Sequence, residues 1–267
     1  AANVYSVEST VYLTTGLMEK GMADYALESA ICKVYGSEKL WESVDMAMQV
    51  AAGNGYMKEY PYEQLMRDSR INLIFEGTNE ILRVFIALLG IRGVSESLKE
   101  LGKVTNVGKV LEDPIKSVGI LSDFAKKRIT KMFRTKVLTQ VPKELEAHAD
   151  DWCGMLGEFS IKVENTIIKL GKDIIGNELP QKRIAEMAIA LYVTLATLSR
   201  TSSIMASDAS EADKKHALGL TILVCKERRH VFMENLKNMD AELDPIIEQV
   251  SKDVCERDGY SLDIIDF

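Results

Sequence analysis

The run LIFEGTNEILR, residues 73 to 83, places a carboxylate, Glu76, directly after the apolar Leu73, Ile74 and Phe75 and directly before Gly77. Two readings of it stand side by side. One is a solvated loop glutamate, or a helix-start carboxylate favoured by the positive end of the helix dipole. The other is a general base. A carboxylate beside Phe75 and close to a buried helix is partly desolvated, which raises its pKa and makes it a better proton acceptor near neutral pH. Gly77 lets a ligand approach the backbone, and the N–H groups opening the following helix suit a phosphate or a polarised oxygen.

Other polar groups offer less. His148, His216 and His230 have no metal-ligand spacing, and no Ser/His/Asp grouping stands out, so no metal is assigned. Cys32, Cys153, Cys225 and Cys255 are too far apart for CxxC chemistry and read as free thiols in a reducing compartment. The run Glu227 to His230 reads as a solvated face. The segment IKSVGILSDFAKKRITKMFR, residues 115 to 134, sets Ile115, Val118, Leu121, Ala125, Ile129, Met132 and Phe133 on one arc, with Lys116, Lys127, Lys131 and Arg134 opposite. Such a basic amphipathic helix either lies in an anionic membrane surface or docks on its own protein.

The elements that must position these groups have helical period throughout, and no run of strand period survives, so the fold class is all-α. From 23 to 52, Leu27, Ile31, Val34, Trp41, Val44 and Met48 form one helical stripe, with a break allowed at Gly36-Ser37. GNGYMKEYP reads as a loop, in which GNG alone is a helix C-terminus and turn. Pro61 suits the start of a short helix through Arg70, with Glu63 near its positive end. A further helix starts near Thr78 or Asn79 and is apolar almost all round to Leu89, which predicts burial on every side. Residues 1–99 thus form one helical region, and residues 100–140, rich in Gly, Lys, Pro and Thr, read as a linker. Residues 141–267 read as a second helical bundle around the apolar helix Ile184 to Leu198.

With 46% hydrophobic and 27% charged residues, the chain has ordinary globular composition, and its net charge of −7 argues against a nucleic-acid partner. Its longest uncharged run, Met187 to Ser199, falls short of the roughly 20 apolar residues of a membrane span. Ala1 to Leu17 reads as mid-helix, as in the C-terminal part of a longer protein.

The run EYPYEQLMRDSRINLIFEGTNEILR at 59–83, preceded by QVAAGNGYM at 49–57, resembles the closing part of the acyl-CoA dehydrogenase family. The likeness covers residues 1 to about 90, the family's C-terminal helical-bundle domain; the rest resembles the helical extension of its very-long-chain branch. The resemblance implies that Glu76 removes the α-proton of a fatty acyl-CoA while the β-hydride passes to FAD, in β-oxidation. It implies that Phe75 and Gly77 flank the substrate and that Thr78, Asn79 and Glu80 line the FAD. A further family element, Gln49 and a glycine pair, contacts the FAD of the neighbouring subunit. Here Ala52 stands for the first glycine before Gly53, which would hold the backbone further from the cofactor.

The resemblance also implies a homodimer, electron-transfer flavoprotein as a partner, and a peripheral place on the matrix side of the mitochondrial inner membrane, reached through residues 115–136. The family's other domains would precede residue 1, so that the parent protein is the enzyme and this part alone is inactive. A helical scaffold for assembly of respiratory complex I, a role known in that branch, is the alternative.

Overall fold

A computed structural model describes residues 1–104, 138, 140–257 and 259; the basic segment 115–136 lies outside the described residues. Among them every regular element is helical. In chain order these are α1 (Ala2–Glu19), α2 (Ala26–Val50), the single turn α3 (Gly53–Tyr56), α4 (Tyr62–Arg70) and α5 (Asn79–Val104). After the gap come α6 (Glu146–Leu170), α7 (Glu178–Met205), α8 (Glu211–Lys237) and α9 (Asp244–Glu256), with short 3-10 turns at Ile71–Leu73, Lys143–Leu145, Gly171–Ile175 and Asn238–Asp240.

Helix α7 is the hub. Its apolar circumference from Ile184 to Leu198 is covered by α8, α1, α5 and α6, and Ile184, Met187, Val193 and Leu198 are closed to solvent. Among the described residues it is the one helix long and apolar enough to cross a membrane by length and composition, although its uncharged run spans only Met187 to Ser199. Its packing accounts for that hydropathy, since 56% of the apolar window is buried inside the protein. Threonines on α7 satisfy themselves by bonding back one turn, Thr194 to the Ala190 carbonyl and Thr197 to that of Val193. They therefore tolerate the core.

The two helical regions share this core. Ile31, Val34, Ile86 and Ala87 belong to the same buried cluster as Trp152, Val163, Ala190, Val224 and Phe232. Hydroxyl contacts reinforce the seam: Tyr5 meets Thr201 at 2.7 Å, and Thr14 meets Tyr192 at 2.8 Å.

Four expectations are corrected. α2 runs unbroken through Gly36-Ser37, because Ser37 Oγ donates to the Val34 carbonyl instead of capping a new helix, and Gly36 lies against Val7 of α1. Residues 53–56 form a helical turn inside the expected loop. α5 extends past Leu89 to Val104 and is not buried on every side: Ile86 and Ala87 are closed, but Ile81 is 62% exposed. Finally, Arg228 is buried beneath the expected solvated face, its guanidinium 5.4 Å from the Tyr35 ring centre.

Candidate active site

The junction between α4 and α5 is a tight reversal. The N–H groups of Ile74 and Phe75 both donate to the Ile71 carbonyl, at 2.9 and 3.0 Å. Glu76 then takes φ +54° and Gly77 φ +89°. A glycine accepts this region freely, but a side chain costs about 1–2 kcal/mol there, and such backbones cluster at functional sites. Thr78 caps α5: its hydroxyl accepts from the Ile81 N–H at 3.3 Å and its carbonyl from Leu82 N–H at 2.9 Å.

What holds the reversal lies beneath it, on α2. Lys33 Nζ donates to the Gly77 carbonyl at 2.8 Å and to Asn79 Oδ1 at 2.7 Å. Asn79, 1% exposed, donates in turn to Ser37 Oγ at 2.9 Å and Glu38 Oε1 at 3.2 Å. Arg83, one turn into α5, spans two other helices: Nη2 donates to Glu38 at 2.8 Å and Nε to Glu186 of α7 at 2.6 Å. Burial pulls the Lys33 pKa down, against the pull of Glu80 and Glu38. For Arg83 burial acts the same way, but the carboxylates of Glu186 and Glu38 outweigh it and push the pKa up. Glu80 sits below the usual carboxylate range, chiefly through its own N–H, with the Thr78 hydroxyl adding to it.

The expected desolvation of Glu76 is not found among the described residues. Glu76 is exposed, and so are the residues expected to dry it, Ile74 at 47% and Phe75 at 48%. The apolar side chains turn outward because, among the described residues, nothing packs over the reversal.

The junction brings Phe75, Glu76, Gly77, Thr78, Asn79 and Glu80 together, although Asn79 faces inward to Lys33, Ser37 and Glu38. Gln49 and Gly53 stand elsewhere, both exposed: Gln49 is at the far end of α2, 16 residues from Lys33 and thus about 24 Å along the helix, and Gly53 opens α3 just beyond it. Ala52 has φ +50° and ψ −131°, a conformation glycine adopts readily, so the backbone keeps the shape a glycine would give it. Gly55 is obligatory in this geometry, since a Cβ there would lie 2.3 Å from the Met48 carbonyl oxygen. Over Gly53 the space is open.

Lys33, Glu38 and Glu186 were not singled out by sequence reasoning, and Ser37 was read only as the cap of a fresh helix. Arg83 carried a signal: it is the one charge between Ile81 and Leu89, and a charge on a mainly apolar helix needs a partner.

An all-helical chain with a strained carboxylate at a helix start defines a class rather than a reaction, and comparison with known proteins narrows it. Residues 1–88 match the family described as acyl-CoA dehydrogenase, C-terminal domain, and residues 143–260 match ACAD9/ACADV, C-terminal domain. The very long-chain specific acyl-CoA dehydrogenase of Bos taurus is 33% identical over 264 residues, 96% of this chain and 39% of that protein; the Homo sapiens protein is 32% identical over the same shares. A probable acyl-CoA dehydrogenase of Bacillus subtilis is 43% identical over 104 residues, 32% of this chain and 18% of its own. The crystal structure of an acyl-CoA dehydrogenase complexed with FAD from Bacillus anthracis superposes with TM-score 0.70 at 24% identity, covering 94% of this chain and 42% of that one. The chain belongs to the acyl-CoA dehydrogenase family, and carries its C-terminal helical domain followed by the C-terminal domain of its very-long-chain branch. It spans about two fifths of the length of those very-long-chain relatives.

Proposed function

We propose that this chain supplies the general base of a FAD-dependent long- or very-long-chain acyl-CoA dehydrogenase, and that Glu76 is that base. The observation that carries the reading is the strained backbone at Glu76, φ +54° on a non-glycine residue, held from below by Lys33. Strain of this kind persists where it presents a group that chemistry needs. The Glu76 carboxylate takes the α-proton of the acyl thioester, forming O–H as C–H breaks, while the electrons left on Cα become part of the new Cα–Cβ double bond. In this reading its own N–H bonds the thioester oxygen, where charge gathers. FAD, when bound, accepts the hydride leaving Cβ.

The exposed apolar side chains of Ile74 and Phe75, with Ile81 on the first turn of α5, suit contact with an acyl chain or with the rest of the enzyme. Either cover would dry the carboxylate. Phe75 and Gly77 flank the substrate in this reading. Thr78 and Glu80 present polar groups to the cofactor at the head of α5, whereas Asn79 serves from beneath. The open surface over Gly53 and the glycine-type turn at Ala52 fit a cofactor laid against the backbone. The span of about 24 Å along α2 from Lys33 to Gln49 agrees with Gln49 and Gly53 serving the FAD of a second subunit, which makes the parent a homodimer. Residues 115–136 carry seven basic residues against Asp123 and would draw the enzyme to an anionic membrane surface, with a mitochondrial place on the inner membrane.

The test is Glu76→Gln in the full-length protein. The amide keeps the shape and cannot take the proton, so turnover of a long-chain acyl-CoA should fall at least about 10²-fold, with FAD binding and folding preserved. Wild-type turnover in that variant overturns the assignment.

A further inference from the structure

We propose that Glu186, on α7 in the second helical region, is a positioning residue for the Glu76 loop, acting through Arg83. The inference rests on the reading of Glu76 as base and adds to it a route by which the extension governs the chemistry.

The Arg83 side chain is 12% exposed and that of Glu186 19%, so the pair is largely out of water. A guanidinium cannot shed its charge, and Arg83 therefore holds its carboxylates on α2 and α7 together or is left buried and unbalanced. Its contact on α2, Glu38, also receives Asn79 Nδ2; Asn79 Oδ1 receives Lys33 Nζ; and the same Nζ donates to the Gly77 carbonyl. A continuous set of charge-assisted hydrogen bonds thus runs from α7 to the residue bonded to Glu76. Glu76 keeps φ +54° without a glycine's freedom, and such a backbone survives only where its surroundings over-determine it. These bonds do that.

With Glu186 made neutral, Arg83 is held from α2 alone, and the first turn of α5 loses its tie to the hub of the fold. Proton abstraction is sensitive to reach, and a displacement of about 1 Å can cost up to about 10²-fold. The substrate's binding surface is untouched.

The experiment uses the full-length protein with FAD and palmitoyl-CoA, with steady-state kinetics and backbone amide exchange over residues 74–82 as readouts. Glu186→Gln and Lys33→Met should each lower kcat by about 10-fold, leave KM within about twofold and speed exchange in 74–82. Glu8→Gln cuts a different tie of the same helix, the pair with Arg200 at 2.9 Å, and should change neither readout. Wild-type kcat and exchange in Glu186→Gln overturn the proposal, and so does an equal loss in Glu8→Gln, which would reveal general destabilisation. Glu186→Asp, keeping the charge but one methylene shorter, should fall between; if Glu186→Gln fails to fold, wild-type values in Glu186→Asp overturn the proposal. Glu76→Gln in parallel separates the two claims. Retained turnover there removes the base, while the exchange data still decide whether Glu186 holds the loop.

Discussion

A single side chain in this protein is judged by what backbone it demands and what water it loses. Ala52 shows the first. It occupies φ +50°, ψ −131°, where glycine sits without penalty, so Ala52→Gly should stabilise the chain by up to about 1 kcal/mol, read as a rise in Tm; a fall would mean the turn is not strained. The cysteines show the second. Burial, aided by Asp151, pushes the Cys225 thiol up to about 12, whereas Cys255 is exposed. Iodoacetamide at pH 8 should label Cys255 within minutes and spare Cys225 until the protein unfolds, as peptide mapping would show. At this scale the sequence was legible where neighbours are local. Glu76, Gly77 and Thr78 could be read as a loop opening a helix because the signals are adjacent residue types. Lys33 and Glu186 could not, being 43 positions before and 110 after Glu76; only the fold brings them to it. The exposure of Glu76 was misjudged for a related reason: apolar neighbours in sequence dry a carboxylate only if the chain folds over them.

Helices here were foretold by period, and their ends and partners were not. The stripe Ile31, Val34 is buried in α2, but beyond Ser37 the same stripe is only half covered, because α2 there leaves the bundle and meets α4. Arg70 then lies 5.7 Å over the Trp41 ring. Periodicity gives the face and not what lies against it. Ties between elements add charge to this picture. Asp240, in the turn after α8, receives Lys162 at 2.6 Å and Lys169 at 2.7 Å from α6, and those bonds draw its pKa from 3.8 down to about 2. The folded-state pKa is depressed, so the stabilisation is fully present above about 3.8 and is lost as pH falls through about 2. The carboxylate is half exposed, and screening holds its worth to about 1 kcal/mol or less. Asp240→Asn should therefore lower the urea midpoint slightly at pH 6 and leave it unchanged near pH 2. An effect that is larger in acid would reverse the assignment.

For the whole molecule the question is how the two family domains, 1–88 and 143–260, divide the work of folding. A boundary in sequence near residues 100–140 suggests two independent units. The packing argues differently, because α7 of the second region presents buried surface to α1 and α5 of the first, and Met187 and Ala190 belong to the cluster that also holds Ile31 and Ile86. Arg83–Glu186, Arg200–Glu8, Tyr5–Thr201 and Thr14–Tyr192 cross the same seam. If α1 and α5 were withdrawn, those faces of α7 would meet water, and the large apolar side chains uncovered there would each lose about 1.5–3 kcal/mol of burial. Summed over several such side chains, that is comparable with the total stability of many domains, about 5–15 kcal/mol. Neither region then has a stable state in which the other is unfolded. Heating the 267-residue chain should give one calorimetric transition, with calorimetric and van't Hoff enthalpies in agreement. Phe232→Ala, a cavity in α8 far in sequence from the Glu76 loop, should lower that single transition by about 3–5 kcal/mol for both regions at once. Two resolved transitions, or a Phe232→Ala variant in which amides 30–38 of α2 keep wild-type protection while those of α8 lose it, would show that the regions fold separately and that the shared core does not couple them.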